Sequence, residues 1–283
     1  MADNKTNINW FPGHMSKALK EMKEKTKLVD LIIELNDARA PISSSNPLIK
    51  EIIGNKSYLK VLNKSDLVDE ETLSKFKNYY QQKNIKTITI SATNKNHVSL
   101  INEAISEVAK PLIEKDLKRG LKPRLVRVMI LGIPNVGKST LINTLANRKS
   151  ASVANKPGHT KSQQWVKCNN YELLDTPGVL WPNMHEFDVG TKLALIGCIK
   201  EEILPTMDLC EYAFNYLQKY YPNVLYNKYG VIDDNFYQFL EKLAFARKHL
   251  LKNNEYDIER TAKLILNDFK NGNIGKICVD REA

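Results

Sequence analysis

Short apolar runs alternate with amphipathic stretches along the first two thirds of the chain. "VDLIIEL" (29–35) and "YLKVLN" (58–63) are nearly continuous apolar runs, the pattern of strands covered on both faces. "KTITIS" (86–91) is β-branched, and "LVRVMILG" (125–132) is a further buried strand. "WVKC" (165–168) and "YELLD" (171–175) predict an adjacent strand pair. Between them, "SKALKEMKEKTK" (16–27, capped by Ser16), "EETLSKFKNYYQQK" (70–83) and stretches near 97–113 and up to about 147 have helical spacing. "EKDLKRGLKPR" (114–124) is polar and broken by Gly and Pro, which predicts a linker. Strands alternating with helices predict an α/β fold with a mostly parallel, doubly wound sheet.

After about residue 188 the strand pattern stops. "DVGTKLALIGCI", "TMDLCEYAFNYLQKY", "DDNFYQFLEKLAFARKHLL" and "IERTAKLILNDFKNG" all fit helices, with Pro222 and "NKYG" as breaks. The predicted organisation is an α/β domain over 1–185 and a small all-α domain over 186–283. A chain of 283 residues is long enough for two cores.

Composition changes this picture little. Apolar content of 42% and charged content of 26% fit a soluble globular protein. No run of eighteen apolar residues predicts a membrane span. The N-terminus has no basic region followed by an apolar core, so no secretory signal is expected. Cys168, Cys198, Cys210 and Cys278 form no C-x-x-C pair, so free buried thiols in a reducing cytoplasm are expected.

Charge is more informative. The net charge is +10. Of 42 basic and 32 acidic residues, 13 and 15 fall in 186–283, leaving 29 and 17 before them. Nothing between Asp116 and Glu172 is acidic. Lys118, Arg119, Lys122, Arg124, Arg127, Arg148, Lys149, Lys156, Lys161 and Lys167 lie in that interval, besides Lys138. Such a field suits a polyanion, nucleic acid above all, although a basic face also serves solubility alone. In the tail, "FARKHLLK" (245–252) gathers Arg247, Lys248, His249 and Lys252 on about one and a half helical turns, a second candidate RNA contact.

The chemistry begins at "GIPNVGKST" (132–140). It follows an apolar strand and opens a helix, the setting that makes G-x-x-x-x-G-K-S a phosphate loop. Gly132 and Gly137 let backbone amides turn inward. The run Asn135, Val136, Gly137, Lys138, Ser139 and Thr140 would cradle the phosphates at a helix N-terminus. Lys138 can reach the β- and γ-phosphates, and the Ser139 hydroxyl can ligate Mg²⁺.

"NKSD" (63–66) ends the strand 58–63. Asp66 is a pure acceptor, and guanine offers it N1–H and the 2-amino group, where adenine offers an unprotonated nitrogen. Asn63 can bond the base edge and Lys64 can lie along its face. "SAT" (91–93) could turn the backbone amides of Ser91 and Ala92 toward the guanine carbonyl. Downstream, Thr160 in "PGHT" (157–160) has the hydroxyl to complete Mg²⁺ coordination and sense the γ-phosphate. In "DTPG" (175–178), Asp175 can hold Mg²⁺ through water and the Gly178 amide can meet the γ-phosphate. Taken singly, "NKSD", "PGHT" and "DTPG" are also ordinary turn sequences.

The five pieces occur as base loop, small loop, phosphate loop, threonine and DxxG. An ordinary GTP-binding domain has the first two last. A closed α/β domain whose termini lie close can be re-cut without losing its sheet. The chain resembles the circularly permuted GTPases, most of all the bacterial ribosome biogenesis GTPase A group. The resemblance is carried by "NWFPGHMSKA" (9–18), "DARAP" (37–41), "NKSD", "GIPNVGKST", "PGHT" and "DTPGVLWP" (175–182). It implies a cytoplasmic, Mg²⁺-dependent GTPase, expected as a monomer, that binds the large ribosomal subunit precursor and assists its late assembly. A GTPase acting on tRNA or another RNA stays open, as does an RNA-binding scaffold with a mainly structural nucleotide.

Many GTPases orient the attacking water with a glutamine after DxxG. Here that position is Val179, a hydrophobic replacement the resembled family shares. The resemblance points instead to His14 in "WFPGHM", with His159 the weaker candidate. Asn135 matches GTPases that use K⁺ near the phosphates, although a loop-stabilising amide is an equal reading. The sensor at 175–178 lies about ten residues before the helical tail, so loss of γ-phosphate contacts is expected to shift that tail.

Overall fold

The computed structural model describes residues 13–122, 124–146, 164–168, 170–181, 187–200, 204–252 and 254–281. These fall into two compact units, one spanning 1–185 together with 280–283, the other 186–279. The helical unit therefore ends at Val279. Asp280 belongs with the first unit because Ser43 there donates to its carboxylate at 2.5 Å.

The first unit is built on six strands: β1 (Leu31–Asp37), β2 (Ser57–Asn63), β3 (Thr87–Thr89), β4 (Val126–Leu131), β5 (Gln164–Lys167) and β6 (Tyr171–Asp175). Their order is β3-β2-β1-β4-β6-β5. All neighbours are parallel except β5 and β6, the adjacent pair the sequence predicts, which is antiparallel and lies at the edge of the sheet. Every residue of β1 is buried, the apolar Leu31, Ile32, Ile33 and Leu35 as expected of a central strand and the polar Glu34, Asn36 and Asp37 with them. From β1 the sheet grows one way through β2 and β3; from β4 it grows the other way. The direction of winding thus reverses between β1 and β4, and the crevice beyond the carboxyl ends of those strands is where open α/β sheets take ligands.

Helices α1 (Gly13–Lys25), α2 (Ile49–Ile53), α3 (Glu70–Gln82), α4 (His97–Lys118) and α5 (Lys138–Leu145) complete the unit. α3 starts where Asp69 accepts the Thr72 N–H at 2.8 Å, and it buries Leu73, Phe76 and Tyr80. α4 runs past the residue near 113 where the sequence places its end, through part of the expected linker. Its stop is a left-handed glycine: Gly120 (φ 75) donates to Leu117 O at 2.9 Å, and Leu121 to Asp116 O at 3.1 Å. That pair of bonds satisfies the last carbonyls of the helix, so the glycine caps the helix beyond Lys118.

The second unit contains α6 (Phe187–Leu195), α7 (Thr206–Tyr220), α8 (Val224–Tyr229), α9 (Phe236–Arg247) and α10 (Ile258–Lys270). Phe214, Leu217, Phe239, Leu240, Ile265 and Phe269 form its core. α8 occupies a stretch the sequence treats as a break. α9 ends earlier than expected: Lys248 turns left-handed (φ 55), and Leu250 pairs with Tyr256 in an isolated antiparallel bridge. The basic residues of 245–252 are therefore not on a continuous helix. Arg247, Lys248 and Lys252 are exposed, while His249 turns inward and meets the Thr261 hydroxyl at 3.0 Å. All four cysteines are free and buried. No described helix is long and apolar enough to cross a membrane.

Candidate functional site

The turn after β4 holds the phosphate-loop sequence, and two glycines make its path feasible. A Cβ on Gly132 would collide with the Leu35 carbonyl oxygen of β1. Gly137 has φ 99, a conformation L side chains rarely adopt, and a Cβ there would collide with the Asn63 amide nitrogen. α5 starts at once, so amides of its first turn are left without helical acceptors. Lys138 is buried and curls back, donating to Gly132 O at 3.1 Å and Ile133 O at 2.8 Å. Asn135 is left-handed at φ 59, and Ser139 and Thr140 are half-buried at the helix start. This is a concave, positively polarised loop suited to a polyphosphate.

The "NKSD" turn lies against it. β1 and β2 pair in register so that Asp37 faces Asn63 at the carboxyl ends. The Asn63 amide nitrogen donates to Val136 O at 2.7 Å, and its oxygen accepts the Ala92 N–H at 2.8 Å. One side chain thus joins the base-loop, small-loop and phosphate-loop sequences. Lys64 takes a left-handed conformation (φ 61), sits 2.8 Å from Asp37 Oδ2 and donates to Asn135 O at 3.1 Å. Asp37 is itself clamped by Arg39, with 2.9 and 2.8 Å bonds to its two oxygens. Its burial opposes ionisation, but the charges of Arg39 and Lys64 prevail and hold its carboxyl far below the usual range. Asp66 points outward in the turn Ser65–Leu67 and is exposed.

The small loop is fixed from two sides. Ser91 donates its N–H to His97 Nδ1 at 2.8 Å, and Ala92 O accepts from Thr144 Oγ1 of α5 at 2.7 Å. The amides of Ser91 and Ala92, which the sequence reading offers to a guanine carbonyl, are therefore hydrogen-bonded within the protein here.

"DTPG" closes the other side. Asp175 is 3% exposed, and its Oδ1 has no hydrogen-bond partner among the described residues. Burial raises its carboxyl to about 6, against the opposing pull of the Lys138 charge. A buried, unsatisfied carboxylate oxygen beside a phosphate loop fits a hard divalent cation; Asp175 and Ser139 are the described residues that would hold Mg²⁺. A Cβ on Gly178 would lie 2.7 Å from Pro134 Cα and 3.0 Å from Lys138 Nζ, so this turn packs directly on the phosphate loop. Val179 is buried and its N–H donates to Gly132 O at 3.4 Å.

The remaining sequence candidates separate. Thr160, His159, Arg148, Lys149, Lys156 and Lys161 lie outside the described residues. His14 is in the first turn of α1, and its side chain lies outside them as well. Lys118, Arg119 and Lys122 are exposed. Arg124 is not a free cation: it is 2.6 Å from Asp30 and 3.4 Å from Asp116. Four residues of the site have no role in the sequence reading, namely Asp37, Arg39, His97 and Thr144. Only Asp37 and Arg39 left a trace there, within "DARAP".

A family model for 50S ribosome-binding GTPases matches residues 127–241. The ribosome biogenesis GTPase A of Bacillus cereus is 40% identical over 273 residues, which cover 95% of this chain and 92% of that protein. The protein of the same name from Thermotoga maritima is 33% identical, over 97% of this chain and 94% of its own. Among solved structures, GNP-bound YlqF from T. maritima superimposes with a TM-score of 0.69 at 28% identity, over 94% of this chain and 98% of its own. Gathered nucleotide motifs in permuted order, on a sheet shared with YlqF and with this degree of identity along nearly the whole length, place the protein: the chain belongs to the ribosome biogenesis GTPase A family, and it is a circularly permuted GTPase that hydrolyses GTP.

Proposed function

We propose that this GTPase binds the precursor of the large ribosomal subunit in the cytoplasm, as a monomer, and that docking on the particle stimulates hydrolysis and release. The observation that carries the nucleotide half is the Asn63 side chain, which bonds Val136 and Ala92 at once and so unites the base and phosphate ends of one site. The particle half is supported by the relatives' name and by the surplus of 29 basic over 17 acidic residues before residue 186.

In this reading Asp66 selects guanine and Lys64 lies along the ring. Asn63, Ser91 and Ala92 frame the base edge. Residues 135–140 and the Gly178 amide hold the phosphates, and Lys138 and Thr160 balance the charge that develops on the γ-phosphate. Ser139 and Thr160, with Asp175 through a water, would hold Mg²⁺, which would supply charge neutralisation to the phosphates. His14 positions the attacking water where Val179 offers no polar atom. Asn135 is the residue that would take K⁺. Lys118, Arg119, Lys122, Arg148, Lys149, Lys156, Lys161, Arg247, Lys248 and Lys252 are the rRNA contacts; Arg124, already paired with two acids, contributes least.

Turnover with and without purified large subunits, free rRNA and tRNA tests the proposal. Stimulation by the subunit alone supports it. Stimulation by tRNA would favour a different RNA substrate, and no stimulation with tight GTP binding would favour a scaffold. His14→Ala should remove the stimulated rate and leave GTP affinity intact.

A further inference from the structure

The polar run "SSSN" (43–46) follows β1 and is largely buried: Ser43, Ser44 and Asn46 lie in the core, at 5%, 0% and 3% exposure. Polar side chains there need partners. Each of the four finds a different one. Ser43 Oγ donates to Asp280 Oδ1 at 2.5 Å. Ser44 Oγ accepts the Asp37 N–H at 3.0 Å. Ser45 Oγ donates to Glu34 Oε1 at 2.6 Å. Asn46 donates its amide nitrogen to Val179 O at 2.9 Å, while its oxygen accepts the Leu48 N–H at 2.9 Å. The second bond fixes the orientation of the amide, leaving the nitrogen for Val179.

Val179 directly follows "DTPG". Its N–H is held by the first glycine of the phosphate loop and its carbonyl by Asn46, so its backbone is gripped from both ends. Its side chain is buried and apolar, so these two bonds are the polar anchors of its backbone. Asp280 is held as firmly: the amides of Ile42 and Ser43 both donate to Oδ2 at 2.7 Å, besides the Ser43 hydroxyl on Oδ1. Val179 and Asp280 flank residues 186–279 in the chain, and both are tied to one loop within the first unit.

We infer that residues 43–46 form a junction, in which Asn46 is a positioning residue for hydrolysis that sets the backbone of Val179, and Ser43 transmits its displacement to Asp280. The inference rests on reading 175–178 as the turn that meets the γ-phosphate. It accounts for the polar run "SSSN", which the nucleotide site leaves unused. A shift of Val179 moves Asn46, and Ser43 lies three residues away on the same tight turn, whose Ser44 N–H bonds back to Ala40 O at 2.9 Å.

The test is hydrogen exchange of the full chain with Mg²⁺ and either GDP or a non-hydrolysable GTP analogue, read at the amides of Ile42 and Ser43. Wild type should show rates differing by about fivefold or more between the two states. Asn46→Ala should erase that difference and lower kcat about tenfold with KM for GTP nearly unchanged. Asn46→Asp keeps the size and the Leu48 acceptor but lacks the donor, so it should behave alike if the alanine variant folds poorly. A wild type without the difference, or an Asn46→Asp protein that retains both the difference and kcat, overturns the junction. Gly178→Ala separates the two readings: if it leaves discrimination between GDP and the analogue intact, the reading of 175–178 fails; if it abolishes discrimination while Asn46→Asp keeps the exchange response, the junction alone fails.

Discussion

Asn63 and Val136 are 73 residues apart in sequence and joined by a 2.7 Å hydrogen bond from side-chain nitrogen to backbone oxygen. The partner oxygen of the same amide takes the Ala92 N–H. Removing the side chain leaves a buried carbonyl and a buried amide unpaired, at about 1–3 kcal/mol each. Asn63→Ala should therefore lower the stability of the nucleotide-free protein by about 2–4 kcal/mol in urea unfolding. It should weaken GDP binding as well. A variant that loses affinity with no loss of stability would mean that Asn63 acts on the base alone and does not tie the loops.

Asp66 offers a cleaner test of base recognition, because it is exposed in the turn Ser65–Leu67 and so carries little of the fold. Asp66→Asn replaces two acceptors with an acceptor and a donor. The base that matches has an oxygen where guanine has its 2-amino group, namely xanthine. Losing charge-assisted bonds costs about 1.5–3 kcal/mol, so GTP affinity should fall by about 10- to 100-fold while XTP affinity rises. Competition between the two nucleotides measures this directly. Unchanged guanine preference removes Asp66 from the role.

Asp37 predicts an acid limit to stability. Its carboxyl titrates far below the ordinary 3.8 because Arg39 and Lys64 sit on it. A carboxylate with a lowered folded-state value stabilises the fold above its unfolded value. That contribution is lost as pH falls below about 3.8 toward the folded value. Asp37→Asn should abolish this part of the acid limb. It also removes the counter-charge that Asp37 gives the buried Arg39, and loss of one partner of a buried pair costs about 3–5 kcal/mol at neutral pH. Unfolding free energy measured against pH for both proteins checks the sign: the two curves should converge as pH falls. Lys64, freed of its counter-charge, should also hold guanine nucleotides less firmly.

The sheet was legible because its strands are short, mostly apolar or β-branched runs, and a core such as "LIIEL" admits few other placements. The permutation was legible because each motif has its own chemistry whatever its order. α2 and α8 were not, since five- and six-residue helices carry too little periodicity to read. The end of α4 was misplaced because Gly120 signals a break equally well as a loop residue or as a cap, and only the bonds to Leu117 and Asp116 decide. Asn46, His97 and Thr144 were illegible for a different reason. Each works through a backbone group that the fold brings from a distance of 6 to 133 residues, and side-chain-to-backbone bonds leave no pattern in a single sequence.

Asp175 shows how a site for a cation burdens the protein without it. The carboxylate is buried, one oxygen lacks a partner among the described residues, and its value is raised to about 6 from 3.8. A raised folded-state value means the native protein binds the proton more readily than the unfolded chain, so between pH 3.8 and about 6 stability falls as pH rises. Above that window the charged group costs on the order of 3 kcal/mol. Asp175→Asn removes the charge at nearly constant volume, and should stabilise the nucleotide-free, Mg²⁺-free protein at about pH 7.5 by on the order of 1–2 kcal/mol. With Mg²⁺ and GTP present the ranking should reverse: the wild type gains the linkage energy of its bound ligands, and the variant gains little. Thermal unfolding of both proteins, with EDTA and with Mg²⁺ and a GTP analogue, separates the two effects. A variant less stable under both conditions would show that Asp175 serves the fold and not the cation.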